Sequence, residues 1–184
     1  MYYIIHALTR WLFPILSFTA DEIWQQIPGQ AEQTPLYLAT WYTDWPVVSL
    51  VDVEKWQLLQ VVRDEVNKAL EIQRQAGVIG SALAANVKLY AQGAVATAVA
   101  TLQNELRFLL ITSEASLFPI DEVPAEVYRS EELPLAIWIE ASSSEKCARC
   151  WHRCEDIGED NMHPLLCRRC IGNIGQHPEV RHYA

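Results

Sequence analysis

All five cysteines of the chain fall between positions 147 and 170, and none lies in the first 146 residues. A disulfide framework spreads its cysteines along the chain and needs an oxidising compartment that nothing else in the sequence suggests. The spacing is sharper still: Cys147-Ala-Arg-Cys150 and Cys167-Arg-Arg-Cys170 stand sixteen residues apart. Two residues between ligands let both thiolates of a knuckle approach one ion at about 2.3 Å. A sixteen-residue insert suits a hairpin that returns the second knuckle opposite the first. Four thiolates complete a tetrahedron and leave no position for a reactive water, so the spacing predicts one structural Zn2+. That ion stabilises a tail too small for a core of its own. An iron–sulfur site and redox thiols are the alternatives. Cys154 is left over, and it, His152 or His163 are substitute ligands; a free, partly buried Cys154 thiol is the simpler expectation.

Lys146, Arg149, Trp151, Arg153, Arg168 and Arg169 sit inside or beside the knuckles. Arginine offers forked donors to phosphates and base edges, and an indole offers a stacking face to an unpaired base. These residues are therefore candidates for nucleic-acid contact. Against that, the arginines can simply be solvated, and Trp151 can pack the small metal core, the favoured of its two roles.

The net charge of −9 over 184 residues argues against a broad phosphate-binding surface, but it is unevenly spread. Residues 145–184 carry six basic and six acidic groups, so the whole excess lies in residues 1–144. Local distribution governs nucleic-acid contact. With 51% hydrophobic and 20% charged residues the composition is that of a globular protein, which excludes disorder as the dominant state. No run of about 18 apolar residues is present, so no membrane helix is expected. Met1–Leu12 lacks the layout of a signal peptide, and the chain reads as cytoplasmic.

Leu8, Trp11, Leu12, Ile15 and Leu16 recur at helical spacing from the start, with Pro14 ending or kinking that helix. An apolar stripe that opens without a cap fits a piece of a longer chain. Thr19-Ala20-Asp21-Glu22 has the form of a capping box, followed by a helix to about Gln26 that Pro28-Gly29 closes. Residues 29–51 form an aromatic-rich connection without helical period. The clearest helix runs from about Val53 to Ala76, with Asp52 as N-cap and Gly77 as stop. Its stripe is Trp56, Leu59, Val62, Val66, Ala69 and Leu70, with Arg63, Glu65, Lys68, Glu71 and Arg74 on a solvated face. Val87–Ala91 alternates as a strand, Ala94–Leu110 is helical with Val95, Ala98, Leu102, Leu106 and Leu109 inward, and Ala115–Phe118 and Leu135–Ile139 are short strands. Ala141-Ser142-Ser143-Ser144 is the one linker-like stretch.

Glu145-Lys-Cys-Ala-Arg-Cys-Trp-His152 with Leu166-Cys-Arg-Arg-Cys170 resembles the zinc finger ending bacterial-type isoleucyl-tRNA synthetases. The same finger class ends DNA glycosylases of the formamidopyrimidine type. Those enzymes begin with a proline nucleophile after the initiator and an adjacent glutamate, whereas Met1 is here followed by Tyr2-Tyr3. Leu8-Thr-Arg-Trp-Leu-Phe-Pro-Ile-Leu-Ser-Phe-Thr-Ala-Asp-Glu-Ile-Trp24 is similar to the helix pair in the anticodon-binding bundle of class I synthetases. Val62-Arg-Asp-Glu-Val-Asn-Lys-Ala-Leu-Glu-Ile-Gln-Arg74, then Val78-Ile-Gly-Ser81, is similar to the helix and turn that follow.

The resemblance implies a mainly α chain with a small α+β subdomain: the helical anticodon-binding bundle part at 1–84, the α+β subdomain at 85–141 and a four-cysteine zinc finger at 142–184. It implies isoleucine tRNA, through its anticodon stem and loop, as partner. The family's nucleotide-binding signatures have no counterpart in this sequence. ATP, Mg2+ and aminoacylation therefore belong to catalytic and editing domains outside this chain, and no catalytic residue is expected in it. Two competing functions remain: a zinc-stabilised protein-interaction module without RNA contact, and a DNA-binding finger of the glycosylase type.

Overall fold

In the computed structural model, which describes residues 1–29, 34–47, 49–175 and 177–183, Pro14 separates two helices, α1 (Tyr2–Leu12) and α2 (Ser17–Gln26). The apolar stripe of α1 is not its buried face. Ile15 is 79% exposed and Leu8, Trp11 and Leu16 are also open, while His6, Ala7 and Thr9 are buried. Small residues decide this: Ala7 and Ala20 allow the two helices to approach closely, and Trp24, Ile27 and Leu36 fill the rest of that core. Thr9 is satisfied there by donating to the Ile5 carbonyl. The capping box is also absent. The Ala20 amide bonds the Leu16 carbonyl at 2.8 Å, so the helix starts before Thr19, and no side chain caps it.

Arg10 lies between the rings of Trp24 and Tyr42, 4.6 and 5.3 Å from their centres, and its Nη1 donates to the His6 carbonyl at 2.9 Å. Of the aromatic-rich connection 29–51, positions 30–33 and 48 lie outside the described residues; Leu36–Leu38 forms a 3-10 turn.

By packing, the chain divides into two compact units, Met1–Ser49 and Leu50–Ala184. The second opens with α3 (Leu50–Gln75), which places Asp52 inside the first turn instead of at the cap. The far end follows expectation. Gly77, at φ +74, lets the Val78 amide reach Gln73 and its own amide reach Arg74, the paired bonds of a left-handed helix stop. Leu59, Val62, Val66, Ala69 and Leu70 are buried, with Trp56 packed beside them. Glu65 breaks the expected pattern: it is 2% exposed, on the core side.

Strand β1 (Ala85–Ala91) leads through α4 (Gly93–Ala100) and α5 (Leu106–Leu110) to β2 (Glu114–Pro119), followed by β3 (Tyr128–Arg129) and β4 (Leu135–Ala141). The sheet order is β2-β1-β4-β3, with β1 parallel to β2 and antiparallel to β4, and β3 antiparallel to β4. The expected single helix 94–110 is interrupted: Gln103 takes φ +46 and Gln103–Glu105 forms a 3-10 turn. The break turns Leu102, Leu106 and Leu110 into the core, and Leu109 only packs at its edge. Alternation in β1 buries Val87 and Leu89, while Lys88 pairs with Glu140 at 3.0 Å.

The serine stretch before the cysteines is tied down. Ser142 is buried, and its amide bonds the Ala84 carbonyl at 2.8 Å. The tail adds a short hairpin, β5 (Glu145–Lys146) with β6 (Arg153–Cys154), and α6 (Arg168–Ile174). The architecture is mainly α with a small α+β part and a cysteine-rich tail. Among the described residues, no helix is long and apolar enough to cross a membrane.

Candidate metal centre and nucleic-acid interface

The first knuckle sits at the end of the β5–β6 hairpin. The Cys147 amide bonds the His152 carbonyl at 2.9 Å, and the Trp151 amide returns to the Cys147 carbonyl at 3.0 Å. The second knuckle is the start of α6, with the Ile171 amide on the Cys167 carbonyl at 3.0 Å. A bond from the Ala148 amide to Leu165, also 3.0 Å, stitches the two together. Local turns thus aim all four thiols inward.

The sulfurs of Cys147, Cys150, Cys167 and Cys170 lie within 4.8 Å of one another, with Cys150 and Cys167 3.8 Å apart. An ion about 2.3 Å from each sulfur of a tetrahedron sets sulfur separations of about 3.8 Å. The donor set fits such an ion: soft, fourfold, and closed to a fifth ligand. Donors already face the sulfurs. The Cys167 amide reaches Cys147 Sγ at 3.4 Å, and Arg149 Nη1 reaches Cys170 Sγ at 3.6 Å. Burial pushes the thiols of Cys167 and Cys170 up. At Cys147 burial acts the same way, but amide donors from Cys150, Cys167 and Arg149 outweigh it and bring that thiol down to about 6. Four thiolates this close repel one another, and a divalent cation relieves that cost.

Cys154 is half-buried in the same small core but outside the four-sulfur group, and burial pushes its thiol up. His163 is exposed and belongs to no metal-binding group among the described residues. His152 packs edge-on against Phe108, with ring centres 5.7 Å apart.

The basic and aromatic residues separate into two sets. Trp151 is 58% exposed, not packed into the metal core as expected, and stands at φ +66. That backbone conformation is costly for a bulky side chain, and the knuckle imposes it. Lys146 Nζ lies 4.5 Å from the Trp151 ring centre, and Arg149 is exposed on the same knuckle while its Nη1 reaches inward to Cys170 Sγ. Arg168 is exposed and paired with Glu159 at 2.7 Å. Arg153 and Arg169 are bound inward instead. Arg153 Nη1 donates to the Ser144 carbonyl at 2.9 Å, and Arg169 pairs with Glu179 at 3.1 Å beside Phe108. One positioning residue has no sequence signal: Ser113, from the α5–β2 connection, accepts the Arg153 amide and so seats the hairpin.

Residues 1–89 match the family model described as the anticodon-binding domain of tRNA ligase, and residues 144–172 match the zinc finger found in FPG and IleRS. Along its whole length the chain is similar to isoleucine–tRNA ligases. It is 51% identical over 183 residues to that of Legionella pneumophila (strain Corby), covering 19% of that protein. It is 49% identical over 186 residues to that of Coxiella burnetii (strain Dugway 5J108-111), covering 20%, and 45% identical over 187 residues to that of Pseudomonas paraeruginosa, again covering 20%. All of this chain is aligned in each case, and it spans about a fifth of the length of the curated relatives it matches.

Proposed function

We propose that this chain is the C-terminal, tRNA-gripping part of a class I isoleucine–tRNA ligase of the cytoplasm. In this reading residues 1–84 serve as the anticodon-binding part, 85–141 as a bracket and 142–184 as the finger. Cys147, Cys150, Cys167 and Cys170 hold one Zn2+, whose role is to fix the two knuckles. The carrying observation is the exposed, conformationally forced Trp151 beside Lys146 and Arg149 on a knuckle closed by four converging sulfurs. A side chain on a rigid knuckle meets RNA with little ordering cost. The indole stacks on an unpaired base of the anticodon loop of isoleucine tRNA, and Lys146, Arg149 and Arg168 supply phosphate or base contacts. Arg153 and Arg169 contribute mainly by holding the finger in shape. Activation of isoleucine with ATP and Mg2+, transfer to tRNA and editing belong to other domains of the same enzyme.

The test is binding of cognate and anticodon-swapped tRNA to Trp151→Ala, Arg149→Ala and Arg168→Ala, with zinc content checked in each. Trp151→Ala is expected to lose about 1–3 kcal/mol of affinity, and a base-contacting arginine to lose discrimination between anticodons. If all three variants keep metal, affinity and salt dependence, the finger is a protein-docking module. The inward commitment of Arg153 and Arg169 favours that second reading.

A further inference from the structure

Phe108, on α5, gathers three guanidinium groups. The Cζ atoms of Arg107, Arg169 and Arg181 lie 4.9, 4.9 and 3.9 Å from its ring centre. Glu179 pairs with Arg169 at 3.1 Å and with Arg181 at 2.7 Å. The Arg107 side chain has no hydrogen bond or ion pair among the described residues, and its Nε is buried without a partner. Three like charges around one ring, with one member unpaired, create a local excess that an anion relieves.

Arg107 stands where two clefts of about 520 and 990 Å3 meet, both also lined by Asn104, Asp156 and Arg169. The smaller one adds the amide of Asn86, the hydroxyl of Ser116 and His152. The acids of the larger cleft already have donors: Asp156 Oδ2 accepts the Arg168 amide at 2.8 Å, Glu179 pairs with Arg169 and Arg181, and Glu105 accepts the amides of His182 and Tyr183. Asp156 Oδ1 is buried without a partner, and the exposed Glu114 and Glu155 line the smaller cleft. On the side of the larger cleft Arg107 stands with Arg168, Arg169 and Arg181 against Glu105, Asp156 and Glu179, and a guanidinium fork is the group that holds a phosphate in two-pronged fashion. The volume is that of sites accepting small molecules.

We propose that Arg107, remote in sequence from both knuckles, and the cleft it shares with Arg169 bind one phosphodiester of the RNA that the finger grips. The inference rests on the tRNA reading above. The contact positions the RNA and carries no sequence information.

Two measurements separate the inference from the reading beneath it. In filter binding across salt concentrations, Arg107→Ala is expected to reduce the slope of log affinity against log salt by about 0.7–0.9. Affinity falls about tenfold, equally for cognate and anticodon-swapped tRNA. Arg107→Lys restores the slope but not the full affinity, and both variants keep their zinc. In parallel, inorganic phosphate is titrated while the Arg107 Nε–H resonance is followed by NMR; a saturable shift absent from Arg107→Ala is expected. An unchanged slope in Arg107→Ala, or a loss confined to cognate tRNA, overturns the inference while leaving tRNA recognition intact. Failure of the unaltered chain to bind tRNA overturns the functional reading. A phosphate shift in that case marks a site for free phosphate and overturns the phosphodiester assignment as well.

Discussion

The hydroxyl of Ser113 accepts the backbone amide of Arg153 at 2.6 Å and donates to the Leu83 carbonyl, also at 2.6 Å. One buried serine thereby fastens the hairpin of the finger to the strand edge where β1 begins. Its own amide adds a bond to the Ala85 carbonyl at 3.0 Å. The hairpin is held by these bonds and by Arg153 on the Ser144 carbonyl.

Ser113→Ala removes both hydroxyl bonds and leaves the partly buried Arg153 amide and Leu83 carbonyl without this partner. We expect a loss of about 2 kcal/mol in stability, and faster hydrogen exchange confined to residues 144–154. Zinc content should be unchanged. Denaturant unfolding with exchange mass spectrometry checks both; an unperturbed Arg153 amide would show that the serine does not hold the hairpin.

Glu65 is a second buried polar residue whose side chain joins distant parts of the chain. Its Oε2 accepts the Tyr128 hydroxyl at 3.2 Å, and Oε1 accepts from Lys68. Hydrogen bonding from Lys68 first, then from Ser130 and Tyr128, holds its carboxyl below the ordinary 4.5 against the opposing effect of burial. A depressed carboxyl contributes stability that is complete above the unfolded value and lost as pH falls through the folded one. Glu65→Gln should therefore flatten the acid limb of the stability profile below pH 4.5, and Glu65→Ala should cost about 2 kcal/mol at neutral pH. Unfolding midpoints measured from neutral pH down to about pH 2.5 decide this, and parallel acid limbs for both proteins would contradict it.

Metal stoichiometry distinguishes the ligands. Cys154→Ser should retain one equivalent of zinc, since that thiol lies outside the four-sulfur group; Cys167→Ser should lose it and unfold the tail. Native mass spectrometry of the two variants reads this directly. Metal loss from Cys154→Ser would move the ligand set.

What is legible in the sequence is what depends on short-range geometry. The knuckles can be read because two intervening residues fix where two sulfurs point. Helix α3 can be read because its apolar repeat, Trp56 to Leu70, persists over about four turns and Gly77 marks its end. The features that escape need partners that the sequence does not display. Glu65 stands three residues after Val62 and four before Ala69, on the buried face by position. Its charge argues for solvent, whereas Tyr128, 63 residues later, supplies the donor that lets it stay inside. In α1 two faces are available, and the small Ala7 and Ala20 outweigh the larger stripe because they let the helices meet. Gln103 breaks its helix with neither glycine nor proline to announce it. The hydrophobicity of Trp151 points to the core, whereas the tight knuckle sets its direction.

The most direct test of the account is a titration of this chain with isoleucine tRNA before and after chelation of its metal, followed by zinc replacement. If the four cysteines order the knuckle that presents Trp151, saturable binding weakens at least tenfold on metal removal and returns with one equivalent of zinc. Equal affinity with and without metal would contradict the claim that the finger takes part in gripping the RNA.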